Sequence, residues 1–252
     1  MALMQLHIDS ETLFMAMDVW VLMPEKMPAK DLRAFWFLHG GHGDHSRWVR
    51  ASSIERDAAE HGIAVIMPGA HNSSFVNMHG WQKYNDYIGG ELPGIIRSIF
   101  PMLSHKREDN WIGGFSNGGY GSLNVALRHP EVFGAVCAVA AGDKADVDWA
   151  GRMKEKAMIF GADTDMHNSE YSLQYLAKQL LHQGRPAPKI SHFCGSEDPW
   201  LDLNHKVRDF FQTVEGNPFS YSYTEIAGYG HKVEAAENAY RAFFGKMIIK
   251  GE

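Results

Sequence analysis

The chain has 252 residues, the length of one large α/β domain, a class that runs to roughly 250 residues and buries about three quarters of its unfolded surface. Hydrophobic residues make up 45% and charged residues 21%, ordinary globular proportions that call for neither disulfide staples nor a lipid phase. The net charge is −6, and the one basic cluster, His105-Lys106-Arg107, runs straight into Glu108-Asp109, so the clustered basic footprint of a nucleic-acid binder is missing.

The opening MALMQLHIDSETLF has no basic n-region, and Asp9 and Glu11 interrupt its apolar run, so it does not read as a secretory leader. No stretch approaches the roughly 20 apolar residues that a membrane span needs. Met15–Met23 is predicted as a strand ended by Pro24. Ala34–Leu38 (AFWFL) is a compact apolar strand running into Gly40-Gly41. Arg47–His61 has helical spacing, with Gly62 as its stop. Ile63–Met67 (IAVIM) reads as a buried strand closed by Pro68-Gly69. Glu91–Phe100 is a helix with Leu92, Ile95, Ile96 and Ile99 on one face. Trp111–Gly114 is a strand, Gly118–His129 a helix stopped by Pro130, and Ala135–Ala140 a strand. The stretch 143–188 is long, polar and helix-like, and is expected to form a small cap. Lys189–Cys194, Leu201–Val214, Phe219–Ile226 and Val233–Ile249 read strand, helix, strand, helix. This alternation predicts a single α/β domain over 1–252, with right-handed βαβ units around a mostly parallel sheet and helices on both faces. Ligands of such sheets bind at the carboxyl ends of the strands. Cys137 and Cys194 each fall in an apolar strand, which points to two buried free thiols and a reducing, cytoplasmic setting.

Four loops carry chemistry. Gly114-Phe115-Ser116-Asn117-Gly118 matches G-x-S-x-G and lies between a predicted strand and a predicted helix. A nucleophilic serine there sits on a tight turn that needs small neighbours, and the helix N-terminus aims its dipole at a developing oxyanion. The competing reading is a glycine-rich turn with an N-capping serine. The acid is expected after the serine and the histidine last. Asp198 follows the strand Lys189–Cys194 and is the candidate acid. Glu197 is its main competitor and Asp202 a weaker one, while Asp198-Pro199 is also good chemistry for starting a helix. His231, in Gly228-Tyr229-Gly230-His231 after the last strand, is the candidate base among 14 histidines. Two backbone N–H groups are needed for an oxyanion hole. Asn117 supplies one, and Gly41, in Leu38-His39-Gly40-Gly41-His42-Gly43, is the candidate for the other.

The loop AHNSSFVNMHGWQKY, residues 70–84, follows a strand and holds Phe75, Met78, Trp81 and Tyr84. Trp81 and Tyr84, together with Trp200, are candidate substrate-binding residues. The alternative is that the loop's apolar groups pack onto the following helix as core. His39, His42 and His45, and likewise Asp163, Asp165 and His167, form sets that suggest metal ligands, but neither has a compact zinc-type spacing. No cofactor or metal is expected.

With these residues assembled, the chain resembles the tributyrin esterase and S-formylglutathione hydrolase (esterase D) group of α/β-hydrolases, and the related carbohydrate esterase family 1. The matching stretches are FLHGGHGDHSRWV, VIMPGAHNS, YNDYIGGELPGIIRSIFP, WIGGFSNGGYGSLNVAL, CGSEDPWL and GYGHKV, which span residues 37 to 236. The resemblance implies an α/β-hydrolase fold, with Ser116 as nucleophile, Asp198 as acid, His231 as base and Gly41 and Asn117 as oxyanion donors. It implies short-chain acyl esters as small-molecule substrates, and a homo-oligomer. Feruloyl or acetylxylan esters and S-formylglutathione are the alternative substrates, and an acyltransferase uses the same residues. A non-catalytic binding module on this fold is a rival of another class, but such a copy has no reason to keep all three residues in order. Asn117 stands where many relatives have methionine, and Gly41 where many have a larger residue. The stretch 143–188 is the least family-like.

Overall fold

Apolar side chains alternate along the strands, and this period of two sorts them onto the two faces of one sheet. The computed structural model describes residues 1–26 and 28–249. Its strands are β1 (Ala2–Ser10), β2 (Met15–Met23), β3 (Ala34–Leu38), β4 (Ala64–Pro68), β5 (Asn110–Phe115), β6 (Ala135–Val139), β7 (Lys189–Gly195) and β8 (Ser222–Ile226). They lie in the order β1-β2-β4-β3-β5-β6-β7-β8. β2 pairs antiparallel with β1 and β4, and every pairing from β4 to β8 is parallel.

The helices are α1 (Arg47–Ala51), α2 (Ile54–His61), α3 (Tyr84–Asp86), α4 (Leu92–Ile99), α5 (Asn117–Arg128), α6 (Met153–Ile159), α7 (Leu173–His182), α8 (Leu201–Thr213) and α9 (Val233–Ile249). Phe35, Phe37, Val65, Met67 and Trp111 pack with Trp48 of α1 and with Tyr240, Phe243 and Phe244 of α9. Trp36, Leu38, Ile66 and Ile112, their neighbours in the strands, pack with Leu92 and Ile96 of α4, Leu123 and Leu127 of α5, and Leu180 of α7. Each fully buried side chain of this size contributes about 1.5–3 kcal/mol. The two layers therefore hold the sheet rigid under its loops.

Most predicted elements appear within a few residues at each end, and the exceptions have local causes. The sequence reading has no strand over Ala2–Ser10. The outer face of this edge strand is exposed, while Met4, Leu6 and Ile8 alternate along the other face and pack on the core, and it is held by a continuous antiparallel register with β2 from Ala2↔Met23 to Ser10↔Met15. The predicted helix Arg47–His61 is two helices. Ser52 is extended (φ −144°, ψ 174°) and its hydroxyl donates to the Trp48 carbonyl at 2.7 Å, a side-chain bond that competes with helix continuation. Gly62 does end α2, in the left-handed conformation (φ 62°). β8 starts at Ser222 rather than Phe219, because Asn217 and Ser220 have positive φ and turn Phe219 into the core.

The stretch 143–188, expected as a cap, divides in two. α7 buries Leu173, Leu176, Ala177 and Leu180 and packs against α5 and α8 as a helix of the sheet's own layer. The part 144–159, which includes α6, contributes to the wall of the cleft described below. Among the described residues, no helix is long and apolar enough to cross a membrane.

Candidate active site

β5 ends at Phe115 and α5 begins at Asn117, so Ser116 alone makes the turn between them. Its backbone sits at φ 58°, ψ −117°, a region that costs a non-glycine residue of order 1–3 kcal/mol. The surroundings hold it there. Ser116 N–H donates to the Val139 carbonyl at 2.9 Å, and its own carbonyl accepts from Tyr120 N–H at 3.0 Å. A Cβ on Gly114 would lie 2.4 Å from the Gly118 backbone, and one on Gly118 would lie 2.4 Å from the Leu38 carbonyl oxygen. Both positions are glycine because the turn leaves no room for a side chain.

The structure brings Ser116, His231 and Asp198 together from three loops at the carboxyl edge of the sheet. His231 Nδ1 lies 2.7 Å from Asp198 Oδ2, and His231 Nε2 lies 2.9 Å from Ser116 Oγ. A carboxylate only accepts, so it selects the tautomer with the proton on Nδ1 and leaves Nε2 to accept from the serine hydroxyl. Asp198 is buried, and its other oxygen accepts from Trp200 N–H at 2.8 Å. One carboxylate thus makes both the turn that leads into α8 and the histidine contact. Glu197 is exposed and takes part through its backbone, donating its N–H to the Tyr229 carbonyl at 2.9 Å. Asp202 is exposed at the start of α8.

Gly41 and Asn117 adjoin, since a Cβ on Gly41 would lie 3.2 Å from Asn117 Nδ2. Asn117 is the first residue of α5, so its N–H has no acceptor within the helix. The Gly41 loop is fixed by His39. This buried ring donates from Nδ1 to the Gly40 carbonyl at 2.8 Å and accepts the Ala70 N–H on Nε2 at 3.2 Å. Burial lowers the pKa of His39, which favours the neutral form that this pairing requires. His42 is exposed and His45 faces Asp18, so the three histidines of that loop point to separate tasks. Among the described residues, no three His, Cys, Asp or Glu side chains gather where they could hold a metal ion, the set Asp163, Asp165 and His167 included.

A cleft of about 1270 Å³ opens over Ser116, and Gly41, Asn117, His231, Trp81, Tyr84 and Trp200 all line it. Trp81 and Trp200 are largely exposed at its rim. Tyr84 is buried, with its hydroxyl donating to Gln82 Oε1 at 2.9 Å. Of the other apolar residues in that loop, Met78 lines the cleft and Phe75 goes into the core against Gly121. Sequence reasoning passed over Lys144, Arg47, Arg152 and Met15, which also line it. Neither spacing nor motif marks them, because they reach the cleft from separate parts of the chain, Met15 from the start of β2, Arg47 from the start of α1, and Lys144 and Arg152 from two short turns after β6.

Fold and site together define a serine hydrolase of the α/β-hydrolase type. The chain belongs to the esterase family described as "Putative esterase", whose model matches residues 10–250. It is 27% identical over 250 residues to an acetyl esterase of Caldicellulosiruptor saccharolyticus, with 92% of each chain covered. Among solved structures it is similar to FphF, a fluorophosphonate-binding serine hydrolase of Staphylococcus aureus, at 28% identity and a TM-score of 0.88 over 98% of both chains. It is also similar to S-formylglutathione hydrolase FrmB of Staphylococcus aureus, at 29% identity and a TM-score of 0.86 over 98% of both chains. The protein is a serine carboxylesterase acting on small-molecule esters.

Proposed function

We propose that this carboxylesterase cleaves short-chain acyl esters through an acyl-serine on Ser116, with His231 as base, Asp198 as acid, and the N–H groups of Gly41 and Asn117 as the oxyanion hole. The observation that carries this reading is the unbroken relay from Asp198 Oδ2 through His231 to Ser116 Oγ. His231 Nε2 takes the hydroxyl proton as Oγ bonds to the ester carbonyl carbon. The carbonyl oxygen gains the negative charge beside the two N–H groups. The tetrahedral species collapses, the C–O bond to the alcohol breaks, and His231 returns the proton to the departing oxygen. Water then repeats the sequence on the acyl-serine, releasing the acid and restoring Ser116. Asp198 holds the imidazole in the required tautomer and stabilises the imidazolium between the transfers.

Trp81, Tyr84 and Trp200 serve as walls that limit the acyl chain, in keeping with the acetyl esterase relative. A hydrophobic pocket discriminates by roughly 1–3 kcal/mol per methylene. In a chain-length series of p-nitrophenyl esters, kcat/KM is expected to peak from acetyl to butyryl and to fall steeply by octanoyl. A flat profile out to dodecanoyl means an open groove and removes the short-acyl reading.

The catalytic unit is a single domain, with 144–159 as a rim segment in place of a separate cap. A reducing, cytoplasmic compartment is supported by Cys137 and Cys194, which are buried and unpaired. A homo-oligomer is supported by the family resemblance. Sedimentation velocity is expected to give a mass that is a multiple of 28.3 kDa, and a monomer at all concentrations contradicts this.

A further inference from the structure

The wall of the cleft holds a cation that the ester chemistry leaves unused. Lys144 begins a short turn, Lys144–Asp146, after β6. Asp143, just before it, points into the protein, where its carboxylate accepts from the N–H groups of Ala145 and Leu173 and the hydroxyl of Ser172. Lys144 lines the cleft and donates from Nζ to Asn117 Oδ1 at 2.7 Å. Its Nζ also lies 5.5 Å from the centre of the Tyr120 ring. An ammonium carries three donors, and among the described residues one is used in a hydrogen bond and none in an ion pair.

The other charged groups on the cleft wall are Arg47, Arg152 and Glu155, and Glu155 is bonded to Arg152 at 2.8 Å. The wall is therefore net positive in a chain whose net charge is −6. A sign reversed locally at a substrate cleft selects for oppositely charged ligands. An ammonium half-buried in the wall with no ion-pair partner has lost part of its water, and an incoming anion offsets that loss.

We propose that Lys144 is a specificity-determining anion subsite, and that the preferred substrates of this esterase are esters carrying a carboxylate that pairs with Lys144 Nζ. The proposal rests on the reading of Ser116 as nucleophile. Desolvation by burial lowers the Lys144 pKa to about 8, with Arg152 acting in the same direction and Glu155 and Asp143 opposing it. The ammonium is accordingly charged at neutral pH and loses its proton as pH rises through about 8. Of the groups that face it, Tyr120 on α5 is held neutral by burial, and Asp143, raised to about 6 by burial, is already ionised at neutral pH. Arg152 and Glu155 keep their charges in that range, since each is stabilised by the other.

The test compares kcat/KM for matched pairs of esters. Mono-p-nitrophenyl glutarate against p-nitrophenyl valerate places the carboxylate on the acyl side, and 4-acetoxybenzoate against phenyl acetate places it on the leaving side. In at least one pair the anionic ester is expected to be preferred by about tenfold, the worth of one charge-assisted contact. Lys144→Met is expected to abolish that preference and Lys144→Arg to keep it. Taking the ratio within a pair cancels pH effects common to both esters, so in the unmodified enzyme the ratio should fall between about pH 7 and about pH 9. This pH series needs no variant to fold. Neutral esters turned over with no anionic preference in either pair, or a preference unchanged in Lys144→Met, overturn the proposal and leave the Ser116 reading intact. Failure to turn over even the neutral esters overturns both.

Discussion

Replacing Ser116 by alanine is expected to lower kcat by about 10⁶, as removal of the nucleophile does in serine proteases. The fold should survive the change. The Ser116 hydroxyl is bonded to His231 Nε2 and to no other described group, while the backbone bonds that set the turn, from Ser116 N–H to the Val139 carbonyl and from Tyr120 N–H to the Ser116 carbonyl, remain. What is lost is the atom that bonds to the carbonyl carbon, and a water beside His231 in its place is not fixed for attack. Steady-state hydrolysis of p-nitrophenyl butyrate, with circular dichroism and a thermal melt as folding controls, measures the effect. A folded variant with substantial activity means that another group attacks the ester.

The second large effect separates two adjacent acids. Asp198→Asn is expected to cost about 10⁴ in kcat. The asparagine can still accept Trp200 N–H through its carbonyl oxygen, so the turn into α8 persists. Its NH2 group then faces His231 Nδ1 and donates to it, which drives the imidazole proton to Nε2 and removes the acceptor for the serine proton. Glu197→Gln is expected to change kcat by less than about threefold, because the exposed Glu197 side chain is outside the relay. The reverse ranking would move the acid by one residue and break the link between the observed hydrogen bonds and catalysis.

Much of this architecture is legible in the sequence, for identifiable reasons. AFWFL and IAVIM are buried on both faces and followed within two residues by glycine or proline, so they read as central strands. Ser116 is legible because a turn this tight admits only glycine at positions 114 and 118, and that requirement is written into the chain. Asp198 and His231 are legible by order and by the strand each follows. β1 carries a readable signal, since Met4, Leu6 and Ile8 alternate with Gln5, His7 and Asp9 and pack on the core, but that period-two run is only three apolar residues long. The break at Ser52 was illegible because two serines sit in a helical pattern without disturbing its period. Lys144 was the hardest to see. It lies in irregular chain with no repeating pattern, and only the inward turn of Asp143 and the carboxamide of Asn117 place it at the cleft. Asn117 shows the same limit, since the sequence suggests its backbone role and gives no sign that its side chain meets a lysine.

The proposed mechanism stands on acylation of Ser116 Oγ. Treatment with a fluorophosphonate, followed by proteolysis and mass spectrometry, tests it most directly, because such reagents bond covalently to the serine that a histidine has activated. One phosphonate per chain is expected, on Ser116, with activity lost in step with labelling and no adduct in Ser116→Ala. An adduct on a different residue, or labelling of Ser116→Ala at the rate of the unmodified enzyme, would contradict it.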